Sequence, residues 1–147
     1  PYTKKEDGIP WADIIVCAMN LTDENRNYFS YNLLRTAKPG AFFVNIARGE
    51  HAPLADLVRL LEEHHLGGIA LDVFEDEPLF ASYIRSGNVP TPPSVELVEK
   101  LLTFQNVILT PHNAFNTFEA VERKSRYTVD QILAFLKTKK FLWQIEP

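Results

Sequence analysis

The sequence predicts an α/β fold, a parallel sheet with flanking helices, and three observations carry that reading. Four short, β-branched apolar segments recur along the chain, each the length of a strand buried in a parallel sheet. Stretches with helical spacing of apolar residues separate them, and strands alternating with helices pair in parallel through right-handed crossovers. Composition agrees, since 46% of the 147 residues are apolar and 23% charged, the balance of a globular domain rather than of a disordered or collagen-like chain.

Along the chain, Ala12 to Met19 reads as the first strand, apolar on both faces, and Asn20 to Asn27 as polar loop. Ser30 can cap a short helix through Ala37, which Pro39-Gly40 stops. Ala41 to Ala47 is a second buried strand, ending abruptly at Arg48-Gly49. Pro53 suits the first position of the next helix, where a missing N–H costs nothing. Leu54, Leu57, Val58 and Leu61 then form one apolar stripe, and Gly67-Gly68 is expected to end the helix. Ile69 to Phe74 is the third strand and runs into the acidic turn Glu75-Asp76-Glu77-Pro78. Leu79 to Pro93 reads as irregular, and Leu97, Val98, Leu101 and Leu102 as a short amphipathic helix. Asn106 to Thr110 is the fourth strand, ended by Pro111-His112. Asn116 with Glu119 three residues on is a capping-box-like start for a long helix to about Lys137, followed by an aromatic tail with Phe141 and Trp143 that needs docking.

Several function classes fall away. The longest apolar run, Ala12 to Met19, is interrupted by Asp13 and too short for a bilayer. The single cysteine, Cys17, excludes an intrachain disulfide, suits a reducing, cytoplasmic compartment and reads as a small buried hydrophobe. A net charge of −4 with scattered Lys and Arg favours neither nucleic acid nor anionic membrane. His51, His64 and His65 lack metal-ligand spacing, with His64-His65 expected at the exposed end of a helix, so no metal is expected. A start at Pro1, without a basic or apolar leader, reads as a chain cut from something longer.

Chemistry concentrates at strand ends. Open parallel sheets bind ligands at the carboxyl ends of their strands. Here those ends carry Arg48, then Asp72 with the Glu75–Glu77 turn, then His112. An Arg fork holds a carboxylate by two parallel hydrogen bonds, imidazole exchanges a proton near neutrality, and a carboxylate beside it fixes its tautomer. Together they suit a 2-oxo or 2-hydroxy acid, with a nicotinamide as the hydride carrier that no side chain can be. Each residue alone has an ordinary alternative: a hydrogen-bonded structural histidine, a turn with a solvated cation, an exposed acidic turn. Asp72 is the exception, because a carboxylate inside an apolar strand must find partners.

Four segments, Ala12-Asp-Ile-Ile-Val16, Lys38 to Gly49, Gly68 to Pro78 and Asn106 to His112, resemble in order and spacing the D-isomer-specific 2-hydroxyacid dehydrogenase family. Pro111 to Thr117 is similar to its D-lactate-type members. The resemblance implies the C-terminal half of a Rossmann-type dinucleotide-binding domain over residues 1–115. Residues 116–147 would then be a long helix and tail returning toward a substrate domain. It implies Arg48 as the carboxylate anchor, His112 as general acid/base and Glu77 as its partner. NAD, with NADP left open, would lie along Met19, Asn20, Asn25 and Ile46, and Asp72 would meet the nicotinamide carboxamide. A small 2-oxo or 2-hydroxy acid, a missing N-terminal half and a second copy in a homodimer are the implied partners. A binding protein of the same superfamily that senses NAD or assembles without turnover is the other reading.

Departures from the family's pattern are Asn20, where it usually has proline, Pro53 in place of a common aspartate, and His51, which nothing in the sequence explains. The family's Gly-x-Gly-x-x-Gly turn is absent, and Pro1-Tyr2 resembles the dipeptide directly after its ribose-binding acid. The chain alone should therefore bind NADH weakly or not at all. A long apolar edge strand should need cover from another copy or from further polypeptide.

Overall fold

In the computed structural model, which describes residues 3–86, 91 and 93–144, all four strands form. They are β1 (Ile14–Cys17), β2 (Ala41–Asn45), β3 (Leu66–Leu71) and β4 (Val107–Leu109). Their spatial order is their sequence order, and every neighbouring pair is parallel. The helices are α1 (Lys5–Gly8), α2 (Tyr31–Leu34), α3 (Leu54–Glu62), α4 (Glu77–Ser86), α5 (Pro93–Leu101) and α6 (Phe118–Thr138). The chain divides into two compact units, one ending at His112 and one starting at Asn113. The first holds the whole sheet and the second holds α6.

The sequential strand order decides where the core sits. When each parallel crossover is right-handed and each steps to the next strand on the same side, the connecting helices fall on one face of the sheet. On that face Ile15, Cys17, Phe43, Ile69 and Leu71 are buried with Leu34, Leu57, Leu61, Val98 and Leu101 in one cluster. Helix α3 buries five apolar side chains there, each contributing about 1.5–3 kcal/mol on the scale of full burial. On the other face Ile14 is 63% exposed and Ile108 64%, with Val16 and Phe42 half-exposed between them. The strand expected to be buried on both faces is therefore buried on one, and β1, only four residues long and paired with β2 alone among the described residues, is a short edge strand that also exposes a face.

Other expectations shift for local reasons. Gly67 and Gly68 lie within β3 rather than at a helix end. A Cβ on Gly67 would stand 2.3 Å from the Gly40 carbonyl oxygen, so this glycine serves close strand packing. The chain reverses instead at His64, in the left-handed region at φ 53°, and His65 folds back under the sheet. His65 is thus buried, not at an exposed helix end. Its Nε2 donates to the Leu34 carbonyl, and its Nδ1 accepts from Arg35. Pro53 occupies the cap position, one residue before α3 begins. Ser30 stands before a helix of only four residues and its side chain does not cap it, while the Asp56 carboxylate accepts from Tyr31 N–H at 2.7 Å.

The stretch after Glu77 forms helix α4 rather than irregular chain, while residues 87–90 and 92 of that stretch, like Pro1-Tyr2, lie outside the described residues. Leu102 lies just past α5 and is exposed. The long helix α6 starts one residue later than expected, capped by the Thr117 hydroxyl, which accepts from Ala120 N–H, and Phe141 and Trp143 beyond it are half-exposed.

Candidate active site

His112, three residues beyond β4, has a backbone conformation that few non-glycine residues adopt. Its φ is 51°, held by its own N–H, which donates to the Asp72 carbonyl at 2.8 Å. Backbone strain of this kind persists where surroundings over-determine it and is concentrated at functional sites. The ring is fixed as firmly: Nδ1 lies 2.7 Å from Oε2 of Glu77. A carboxylate accepts, so Nδ1 carries a hydrogen and any proton exchanged with a ligand passes through Nε2. The second Glu77 oxygen accepts from Phe74 N–H at 3.1 Å, so both ends of the carboxylate are pinned.

Arg48 follows β2 on a turn that Asn45 builds. This fully buried side chain donates from Nδ2 to the Arg48 carbonyl and accepts at Oδ1 from Ala47 N–H. Gly49 then brings the turn against the chain beyond β3: a Cβ there would lie 2.0 Å from the carbonyl carbon of Phe74 and 2.4 Å from Glu75 N. Only a residue without a side chain permits that approach, and it sets Arg48 beside the segment that carries Glu77.

Arg48, Glu77 and His112 consequently line one cavity of about 540 Å³, with Arg26, Glu50 and Asp76 around them. A second cavity, of about 590 Å³, lies at the carboxyl ends of β1 and β2, with Met19, Asn20 and Ile46 in its wall and Arg48 on both cavities. Asn25 does not line it; the Asn25 amide donates to the Asn20 carbonyl at 2.8 Å and approaches Met19 Sδ at 3.7 Å, so it shapes the loop that does. Asp72 lines neither cavity. It lies just past β3, not inside the strand expected through Phe74, but it is buried and its Oδ1 accepts from the Thr110 hydroxyl, a partner that a buried carboxylate requires.

Glu75 has a different task. Its Oε2 accepts from Leu54 N–H at 2.8 Å at the start of α3. Burial pushes its carboxyl above the usual carboxylate range, and Asp76, Asp56 and Glu50 push the same way, while the Leu54 bond opposes them. Cys17 is fully buried, and burial raises its thiol, so the thiolate is disfavoured. Among the described residues no group of His, Cys, Asp or Glu is placed to hold a metal, and no helix is long and apolar enough to cross a membrane.

Asn45, Gly49, Thr110 and Phe74 are the residues that a strand-end reading passes over. Asn45 carried a signal, the one that marked Asp72: a polar side chain inside an apolar strand.

Residues 1–114 match the family description "D-isomer specific 2-hydroxyacid dehydrogenase, NAD binding domain". The chain belongs to that family. A glyoxylate reductase of Pyrococcus furiosus is 32% identical over 134 residues, which are 91% of this chain and 35% of that protein. An (S)-sulfolactate dehydrogenase of Chromohalobacter salexigens is 36% identical over 121 residues, 82% of this chain and 34% of the relative. Among solved structures, a D-lactate dehydrogenase from Sporolactobacillus sp. superposes with a TM-score of 0.84 at 28% identity, covering 99% of this chain and 43% of that one. The D-lactate dehydrogenase of Aquifex aeolicus, solved with NAD and lactic acid, gives 0.80 at 26%, over 99% of this chain and 45% of its own. The chain thus spans about a third of the length of the curated relatives it matches.

For a member of this family the second cavity is the place to test against NAD. Its wall combines the apolar residues Met19, Leu21 and Ile46 with the polar Asn20 and Arg48. Its volume lies within the range of small-molecule sites, roughly 300–1,000 Å³. That lining fits a flat ring and its ribose, a part of the dinucleotide.

Proposed function

We propose that the complete protein carrying this chain is an NAD-dependent oxidoreductase that interconverts a small 2-oxo acid and the corresponding D-2-hydroxy acid. The observation that carries this reading is the His112–Glu77 pair, 2.7 Å apart, opening on the same cavity as Arg48. Arg48 anchors the substrate carboxylate through its planar fork. That contact orients C2, and the carbonyl oxygen then lies toward His112. His112 delivers a proton from Nε2 to that oxygen during reduction and takes it back during oxidation. Glu77 holds the Nδ1–H and offsets the charge the imidazole carries between transfers. When bound, a nicotinamide supplies the hydride exchanged with C2. Met19, Asn20 and Ile46 would border its ribose side and Asn25 shapes their loop, while Asp72, expected at the carboxamide, is buried, bonded to Thr110 and lines neither cavity.

The relatives' names point to glyoxylate and pyruvate as first substrates to try. A homodimer of complete chains in the cytoplasm fits the apolar open face of the sheet, which needs a cover, and the lone buried Cys17. The test is an assay of the complete protein with NADH and glyoxylate, pyruvate and larger 2-oxo acids, with the handedness of the product determined for pyruvate and the larger acids, since glycolate is achiral. Oxidation of NADH with a D product is expected. A protein that binds NADH and turns over none of these acids overturns the enzymatic reading in favour of a sensor.

A further inference from the structure

His51 is the one histidine of the site region that the reaction does not use, and its surroundings give it a task. Its side chain is completely buried directly behind the Arg48 turn, with its own N–H bonded to the Arg48 carbonyl at 3.3 Å. Its Nδ1 lies 3.2 Å from the carbonyl oxygen of Asn25. A carbonyl only accepts, so Nδ1 is the protonated nitrogen. Nε2 is equally buried and has no partner among the described residues. A buried imidazole that satisfies one nitrogen and neglects the other costs more than an aliphatic side chain of similar size, unless the bond it does make is useful.

That bond joins two segments. Asn25 is where the nucleotide-side loop is organised: its Oδ1 accepts from Thr22 N–H at 2.8 Å and its Nδ2 donates to the Asn20 carbonyl at 2.8 Å. Backbone pairs run alongside, from Asn27 N–H to the Glu50 carbonyl and from Phe29 N–H to the His51 carbonyl, both 2.8 Å. The imidazole is a side-chain tie in this seam, beside the longer, half-exposed Arg26–Glu50 ion pair at 4.0 Å, from the turn that presents Arg48 to the loop that presents Asn20 and Met19.

We infer that His51 is a positioning residue, whose Nδ1–H bond to the Asn25 carbonyl fixes the nucleotide-side loop relative to the Arg48 turn. This rests on the proposed function for its consequence in cofactor binding, but the tie itself belongs to the ligand-free protein. Two variants separate the donor from the bulk. His51→Leu keeps an apolar side chain of comparable size and loses the donor. His51→Asn places an amide N–H near the Nδ1 position, loses Nε2 and leaves a void.

The measurements are the dissociation constant for NADH by calorimetry and amide hydrogen exchange of the 20–29 segment without ligand, both on the complete protein. His51→Leu should bind NADH roughly three- to tenfold more weakly, the scale of one lost hydrogen bond, and exchange faster over 20–29. His51→Asn should recover both although its melting temperature falls. A purely structural histidine predicts the opposite order, with Leu better than Asn in every measurement, and that result overturns the inference. A parent protein that binds no NADH refutes the proposed function alone; the exchange comparison then decides for His51, and equal exchange in the parent and His51→Leu refutes the tie.

Discussion

Glu77 holds His112 from one side and the backbone of Phe74 from the other, with Oε2 2.7 Å from Nδ1 and Oε1 3.1 Å from Phe74 N. The carboxylate therefore sets the ring's tautomer and ties it to the turn beyond β3. In the complete protein His112→Gln should lower kcat by roughly 10²–10⁴-fold, the contribution of a positioned general acid. Glu77→Gln keeps an acceptor for Nδ1–H and loses the charge, so its kcat should fall by less. Near-parental turnover in His112→Gln removes the histidine from the chemistry.

Gly49 gives a prediction about assembly of the site. An added Cβ would lie 2.0 Å from the Phe74 carbonyl carbon, a distance that one of the two turns must relieve by moving. Overpacking of this kind typically costs about 1–3 kcal/mol. Gly49→Ala should lower the melting temperature and, because the moved turn bears Arg48, raise KM for the 2-oxo acid more than KM for NADH. Unchanged stability would mean the two turns are not in close contact in solution.

Much of the fold was legible in the residues, because β-branched runs and helical stripes are local signals. Parallel topology alone predicts that Arg48, Asp72 with the Glu75–Glu77 turn, and His112 reach one sheet edge, and the family resemblance singles out Glu77; Arg48, the acidic turn and His112 line one cavity and Asp72 does not. What escaped was set by neighbours distant in sequence. Gly67 reads as a helix stop until the Gly40 carbonyl is seen against it. The half-exposed faces of Ile14 and Val16 result from strand order, which no single strand reveals. Helix α4 escaped because Pro78 and the prolines near 90 outweighed its short apolar pattern, although proline is tolerated in a first helical turn.

Asn45 was passed over within an otherwise well-read strand, and its role can be measured. Its amide bonds both the Arg48 carbonyl and the Ala47 N–H, at 2.9 and 3.0 Å. Asn45→Ala strands the Ala47 N–H in a buried place, at about 1–3 kcal/mol, and leaves the Arg48 carbonyl only its bond from His51 N–H. Melting temperature should fall, and KM for the 2-oxo acid should rise as the Arg48 turn loosens. Asn45→Asp keeps the acceptor for Ala47 N–H but sets a carboxylate against the Arg48 carbonyl, so it should not rescue. Full rescue by aspartate would show that the donor half of the amide is dispensable.

Glu75 supplies a pH dependence whose sign can be worked out. Burial, reinforced by Asp76, Asp56 and Glu50, raises its carboxyl in the folded state above the unfolded value. A group with a raised folded pKa contributes stability that is present below its unfolded pKa and lost as pH rises through the folded one. Ionised Glu75 is thus a liability at neutral pH, although its Oε2 accepts from Leu54 N–H at 2.8 Å. Glu75→Gln keeps an acceptor for that N–H and abolishes the titration. Relative to the parent, the variant's melting temperature should gain as pH rises from the ordinary carboxylate range and level off once the folded-state carboxyl has ionised, the direction the linkage requires. A difference that stays constant throughout, or shrinks with rising pH, would mean that the Leu54 bond and the helix terminus outweigh the burial of the charge.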